Sequence, residues 1–195
     1  MLTAWGYEVD GSIPPLLSVE AFTTMTGGKY DAVQSALALQ AASQAVRTAC
    51  GWHIAPSLEC TARLTCEGKL AQLPANFVTE VASVTEDGEP LSSGQYEWRR
   101  DGLLRRACFA NWTPTWGGVV VAYTAGLDAD AAPDLAHAVL GIAEGVMAVS
   151  AGVASESADG VSISYSASAG SVAAALTDQQ RLALAPYRLV SSHAA

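Results

Sequence analysis

The sequence predicts an α+β fold in which a helical core is interrupted by an antiparallel β-module, and three observations predict it. Apolar residues recur at helical spacing over 31–50 and 134–151. They switch to strict alternation in LECTARLTC, residues 58–66. Asp101–Gly102 then separates two alternating runs, the strongest short-range signal for a tight hairpin.

Taken in order, residues 1–17 (MLTAWGYEVDGSIPPLL) read as an irregular N-terminal arm, kept extended by Pro14 and Pro15 and laid on a surface through Trp5, Tyr7, Ile13, Leu16 and Leu17. A short helix is predicted over 19–26, with Ser18 as N-cap and Gly27–Gly28 as its stop. A second helix spans 31–50, opened by Asp31 and closed by Gly51. Ala36, Leu39, Ala42, Val46 and Cys50 form its apolar stripe, while Val33, Leu37, Gln40, Gln44 and Arg47 trace another side.

Residues 58–126 read as the β-module, with five or six short strands. The first is LECTARLTC; the next, VTEVASVTEDGEPL, turns at Asp87–Gly88; YEWRRDGLLRRACF is a hairpin; GGVVVAYTAG (117–126) is a buried or half-buried strand. Pro133 then opens a helix over 134–151, apolar round much of its girth, with Gly141 and Gly145 admitting another backbone. Residues 153–195 form a C-terminal arm. In it Val161, Ile163 and Tyr165 alternate with Ser162, Ser164 and Ser166, a lone strand with no evident partner. A short helix follows over 177–186, capped by Thr177 or Asp178 and stopped by Pro186. The organisation expected is thus an arm (1–17), a helical core (18–57 and 127–152), an inserted β-module (58–126) and the C-terminal arm (153–195).

Composition limits what such a chain does. Of its 195 residues, 50% are hydrophobic and 15% charged, against roughly 25% charged in an ordinary soluble domain. Either part of the surface is covered by other subunits, or abundant alanine inflates the apolar count. The net charge of −9 opposes a protein that grips DNA by neutralising phosphates. The one basic cluster, Arg99, Arg100, Arg105 and Arg106, surrounds a turn and reads as a solvated hairpin end. An acidic wall can still surround a duplex and let it slide. The first 25 residues lack the charged and then apolar pattern of a secretory leader, and no apolar run reaches the roughly 18 residues that span a bilayer, so no membrane association is expected. Cys50, Cys60, Cys66 and Cys108 show no metal-ligand spacing and are expected to stay reduced; on one strand, Cys60 and Cys66 are about 20 Å apart, too far to bridge.

No catalytic set emerges, and no cofactor or metal is expected. His53, His137 and His193 lack motif context, His53 reading as a packed or surface residue and His137 as a core or interface residue. TGGK (26–29) lacks the first glycine, the following Ser or Thr and the preceding strand of a phosphate loop. Glu86, Asp87 and Glu89 form an acidic turn. Trp98, Trp112 and Trp116 are candidates for an aromatic ligand pocket in the β-module, and equally for core or interface anchors.

The order of elements carries more information than any motif. A helix ending in AASQAVRTACGWHIAPSLE (41–59), LP at 73–74, VTEVASVTEDGEPLSSGQYEWRRDGLLRR (78–106), VVVAYTAG (119–126) and PDLAHAVLGIAEG (133–145) together resemble the head–tail connector, or adaptor, proteins of tailed phages, over roughly Leu16 to Leu189. CGWHIAP and the Tyr-Glu-Trp hairpin are the most specific pieces. The resemblance implies a structural, non-enzymatic virion protein, made in the host cytoplasm and placed at the head–tail junction of a phage or prophage particle. Copies, typically twelve, would form a ring with the portal protein above and a tail or head-closure protein below. DNA would pass through its channel without sequence-specific binding. It further implies that the C-terminal portion reaches the portal. The contact candidates are Val161, Ile163, Tyr165, Leu182, Leu184, Tyr187 and Leu189, and those for packing between subunits are Leu39, Ala42, Val46, Gly141 and Gly145. The competing expectation is a small-ligand or enzymatic α+β domain using the aromatic pocket.

Overall fold

The change of apolar period along the chain becomes a change of architecture. The structure, a computed structural model, describes residues 1–128, 132–150, 155–158, 161–164 and 176–189. Its elements are β1 (Tyr7–Val9), α1 (Val19–Met25), α2 (Ala32–Cys50), β2 (Leu58–Leu64), β3 (Leu70–Gln72), β4 (Val78–Glu86), β5 (Glu89–Pro90), β6 (Tyr96–Trp98), β7 (Leu103–Arg106), β8 (Val119–Ala125), α3 (Pro133–Ser150), β9 (Ser155–Ala158), β10 (Val161–Ser164) and α4 (Asp178–Leu184). They divide into two units: Met1–Ile13, Cys50–Asp128 and Tyr187–Ala195 form one, Pro14–Ala49 and Ala129–Pro186 the other.

The first unit is built on two antiparallel sheets. The larger has the order β1-β2-β8-β4-β5, the smaller β3-β7-β6. β8 is central because its alternation is the cleanest: Val119, Val121, Tyr123 and Ala125 are buried and the residues between them half-exposed. It pairs in continuous register with β2, from Leu58 opposite Ala125 to Leu64 opposite Val119. Its pairing with β4 shifts register twice, between Val78 and Glu80 and between Val81 and Ser83. The Asp101–Gly102 hairpin forms as expected, with β6 and β7 paired from Tyr96–Arg106 to Trp98–Leu104.

The N-terminal segment departs from the irregular arm read from sequence. Tyr7–Val9 pair with Cys60–Ala62 as an edge strand, and Tyr7 is fully buried. Three residues alternating in–out–in are too few to register as a period, and the flanking glycines and prolines hide them. β3 was missed for the same reason.

The second unit is helical. Ser18 accepts the Ala21 amide at 3.1 Å, and Asp31 Oδ1 accepts those of Val33 and Gln34 at 2.9 and 3.3 Å, as the capping signals predict. Arg47, read with Val33, Leu37, Gln40 and Gln44 on the side of α2 away from its apolar stripe, is buried: its guanidinium donates to the Pro14 carbonyl at 2.7 Å, and Ser43 Oγ accepts the Leu16 amide at 2.9 Å. Those bonds satisfy backbone groups of the Pro14–Leu17 stretch, which cannot pair as a strand. In α4 a complete capping box joins Thr177 and Gln180, and a 3-10 turn over Ala185–Tyr187 ends the helix where Pro186 demands it.

β10 finds a partner within the chain but outside the β-module. It pairs with β9 as a separate two-stranded hairpin, Val161 opposite Ala158 and Ile163 opposite Glu156. The sequence hid β9 because SESA carries no apolar residue but alanine. Tyr165 lies outside the described residues.

Candidate assembly surfaces

The segment CGWHIAP, singled out from sequence, is the clasp of the first unit. Gly51 turns the chain out of α2 at φ 83°. Trp52 is fully buried, stacks on Phe77 with ring centroids 6.0 Å apart, and donates its indole N–H to the Tyr187 carbonyl at 2.6 Å. His53, also fully buried, ties β1 to β8. The Tyr7 hydroxyl lies 2.7 Å from its Nδ1 and accepts its backbone N–H at 3.1 Å, while Nε2 faces the Ala125 carbonyl at 3.0 Å. A carbonyl only accepts, so Nε2 carries a proton; the tyrosine hydroxyl then donates to Nδ1, and a neutral ring completes every bond. Gly126, at φ 122°, passes so close to Pro56 and His53 that a Cβ there would overlap both. The Cys50 carbonyl accepts the Leu189 amide at 2.8 Å, and Asn76 donates to the Arg188 carbonyl at 2.9 Å. This histidine is a structural brace, with both ring nitrogens engaged.

The basic hairpin is largely self-neutralised. Arg99 pairs with Asp101 at 2.8 Å and Arg105 with Glu97 at 2.6 Å, both exposed. Arg106 pairs with Glu86 at 2.9 Å, mostly buried, and packs over Trp112. Arg100 lies over the Phe77 ring. These pairings leave little for phosphates, consistent with the acidic balance.

The three tryptophans do not gather. Trp112 is 3% exposed, Trp98 38% and Trp116 89%. A cavity of about 310 Å³ on the larger sheet is lined by Glu8, Asp10, Glu59 and Glu80 among others and contains none of the three. The aromatic pocket therefore has no geometry behind it. Among the described residues no group of His, Cys, Asp or Glu is arranged to hold a metal ion, and no helix is long and apolar enough to cross a membrane. None of the four cysteines is in a disulfide. Burial pushes the thiol of Cys60 up to about 12 and those of Cys50 and Cys66 up to about 11, with Arg188 opposing at Cys50 and Glu86 adding at Cys66.

In the second unit the residues expected to pack between subunits separate into two groups. Leu39, Ala42 and Val46 have no exposed surface in a single chain, so they support α2 from beneath and cannot touch a neighbour directly. The same helix instead exposes Val33 (70%) and Leu37 (65%), one turn apart on the side that also carries Gln40 and Gln44. Sequence held this signal: two large apolar residues at i and i+4 among glutamines. On α3, a side chain at Gly141 would meet Gln180 of α4 at 3.6 Å, whereas one at Gly145 would meet nothing within 4 Å. His137, expected in the core or an interface, is exposed on this helix. On α4, Leu184 is buried and Leu182 is 76% exposed; Tyr187 is buried and Leu189 half-buried.

No family model and no curated protein sequence matches the chain. Solved structures do. A chain in the neck of an empty gene transfer agent particle, computed with C6 symmetry, aligns with TM-score 0.59 and 21% identity over 95% of this chain and 96% of that one. A chain in the neck of the native particle, computed with C12 symmetry, gives 0.59 and 20%, and one in the native virion 0.60 and 20%, over the same shares. The fold is that of a gene transfer agent neck protein. The match spans both units almost end to end, and so includes the β-module as well as the helices.

Proposed function

We propose that this chain is a head–tail connector subunit of a phage or prophage particle. Copies form a ring beneath the portal, lengthen the DNA channel and dock a tail or head-closure protein. The observation that carries the reading is the near-complete, two-way overlap with chains from particle necks at TM-scores of 0.59–0.60. The C12 symmetry used for one of those necks favours twelve copies. The protein is made in the host cytoplasm and ends in the virion, and its role is mechanical, without catalysis.

Closing a ring requires two different patches on each subunit that fit one another by rotation. The exposed Val33–Leu37 edge of α2 supplies one apolar candidate, and the open surface over Gly145 supplies a place where a neighbouring backbone can approach. Leu39, Ala42 and Val46 keep α2 rigid enough to present the first. The portal contact is assigned to β10, with Val161 and Ile163, to the following Tyr165, and to α4, where Leu182 projects and Leu184, Tyr187 and Leu189 anchor the end of the chain. Many modest contacts repeated round a ring give a firm grip without any one strong site. The net charge of −9 suits a channel wall that DNA must pass without sticking.

The test is assembly. Purified protein, alone and mixed with the portal protein of the same particle, is sized by sedimentation velocity and imaged by electron microscopy. A ring, formed alone or on the portal, is the expected result. A chain that stays monomeric with portal present, or particles whose neck lacks this polypeptide, would overturn the proposal.

A further inference from the structure

The His53 brace has a consequence for pH that holds whether or not the chain is a connector. Tyr7, Trp52 and His53 have no exposed surface. The Nε2–H group donates to the Ala125 carbonyl at 3.0 Å, the Tyr7 hydroxyl donates to Nδ1 at 2.7 Å, and its oxygen accepts the His53 amide at 3.1 Å. A second ring proton does not fit this pattern. On Nδ1 it would make the Tyr7 oxygen accept two N–H groups and take the hydroxyl hydrogen off its acceptor. The titratable groups around the ring offer no counter-charge. Tyr7 of β1 meets the ring edge-on, Tyr123 of β8 lies 6.5 Å from Tyr7, and burial keeps Tyr123 and Cys60 of β2 protonated. Glu8 and Glu59, next along β1 and β2, are exposed on the other side of their strands. Arg188, which acts on Cys50, and Arg100, over the Phe77 ring stacked on Trp52, are cations and oppose a further positive charge.

We propose that His53 is a proton-operated latch on the N-terminal strand: protonation of the ring releases β1 and bares the outer edge of β2. A charge buried without a partner is far less stable than one in water, so the imidazolium belongs to a state in which the site is open. β1 is the element best placed to leave. It is a three-residue edge strand paired with β2. Residues 1–9 are also bonded among themselves, Thr3 to the Tyr7 carbonyl at 2.8 Å and Val9 to the Met1 carbonyl at 2.9 Å, so they move as one piece. Their departure takes the Tyr7 ring off His53 and lets water reach Nδ1, while β2 keeps its continuous register with β8. The backbone of Cys60–Ala62, which β1 had covered, is then a template for another strand.

The test is amide hydrogen exchange of the intact chain at about pH 7.5 and about pH 5, corrected for the pH dependence of intrinsic exchange. A histidine in water titrates near 6.5; the open state takes the proton and the closed state does not, so release is favoured as pH falls through that value. Protection of β1 should therefore drop by about thirtyfold between the two conditions, while β4 and β8 keep theirs. In His53→Gln, whose side chain is neutral throughout, protection of β1 should not change with pH. A second reading needs no variant: the ring nitrogen resonances of His53 should keep their neutral signature wherever β1 is paired. Unchanged β1 protection at about pH 5, or the same acid loss in His53→Gln, overturns the proposal. So does a loss shared equally by β8, or an imidazolium signature with β1 still protected.

Discussion

Tyr7 and His53 show how much one hydroxyl can hold. Phe at position 7 keeps the ring packing against Tyr123 but strands the His53 amide and Nδ1 in a buried site. Tyr7→Phe should therefore cost about 1–3 kcal/mol, read as a lower urea midpoint with unchanged slope. The cysteines give a second prediction at this scale. Cys50, Cys60 and Cys66 are buried and Cys108 is exposed, so iodoacetamide at pH 8 should modify one thiol in the native chain and four in denaturant. The three buried thiols have folded pKa values above the ordinary 9.0, so the folded state holds their protons more tightly. Their contribution is complete below pH 9 and declines as pH rises through about 11 and then 12, so the thermal midpoint should fall on the alkaline side of pH 9.

Among the elements, α4 offers the sharpest contrast. Leu184→Ala removes a fully buried side chain and should cost about 2–5 kcal/mol. Leu182→Ala, two residues away and 76% exposed, should change stability by less than about 0.5 kcal/mol while weakening portal binding. Unaltered portal binding in Leu182→Ala would remove α4 from the interface. What sequence revealed of these elements follows from physics. The long helices, the Asp101–Gly102 hairpin and the alternating β2 and β8 were legible because each repeats its period several times or carries turn chemistry of its own. β1, β3 and β9 were not, since three or four residues, stabilised mainly by the strand beside them, leave no period to read. The assembly surfaces were half legible. Apolar stripes on α2 and α3 were visible, but a stripe does not say whether it faces its own chain or a neighbour, and Leu39, Ala42 and Val46 face inward. Arg47 misled because the backbone carbonyl of Pro14, whose approach to α2 is invisible in sequence, draws it in.

For the molecule as a whole, the two units constrain how the C-terminal segment can be tested. Truncation at residue 155 deletes Tyr187 and Leu189, whose backbone meets Trp52 and Cys50, so lost portal binding would be confounded with lost stability. Excising only residues 155–164 and bridging the gap with glycine and serine spares those bonds. This variant should keep the parent's thermal midpoint within about 3 °C and bind portal more weakly. Unchanged affinity would show that the β9–β10 hairpin plays no part in docking. The likeness to particle-neck chains across both units makes the pair, rather than either alone, the form in which the fold recurs.

The bond from Trp52 to the Tyr187 carbonyl also sets a timetable. The ribosome delivers Trp52 long before its acceptor, with 134 intervening residues (187 − 52 − 1) still to be made. Until residues 187–189 are made the indole N–H lacks that carbonyl and Cys50 lacks the Leu189 amide. The sheet unit therefore gains these two bonds only once residues 187–189 have left the ribosome, long after the strands they close have been made.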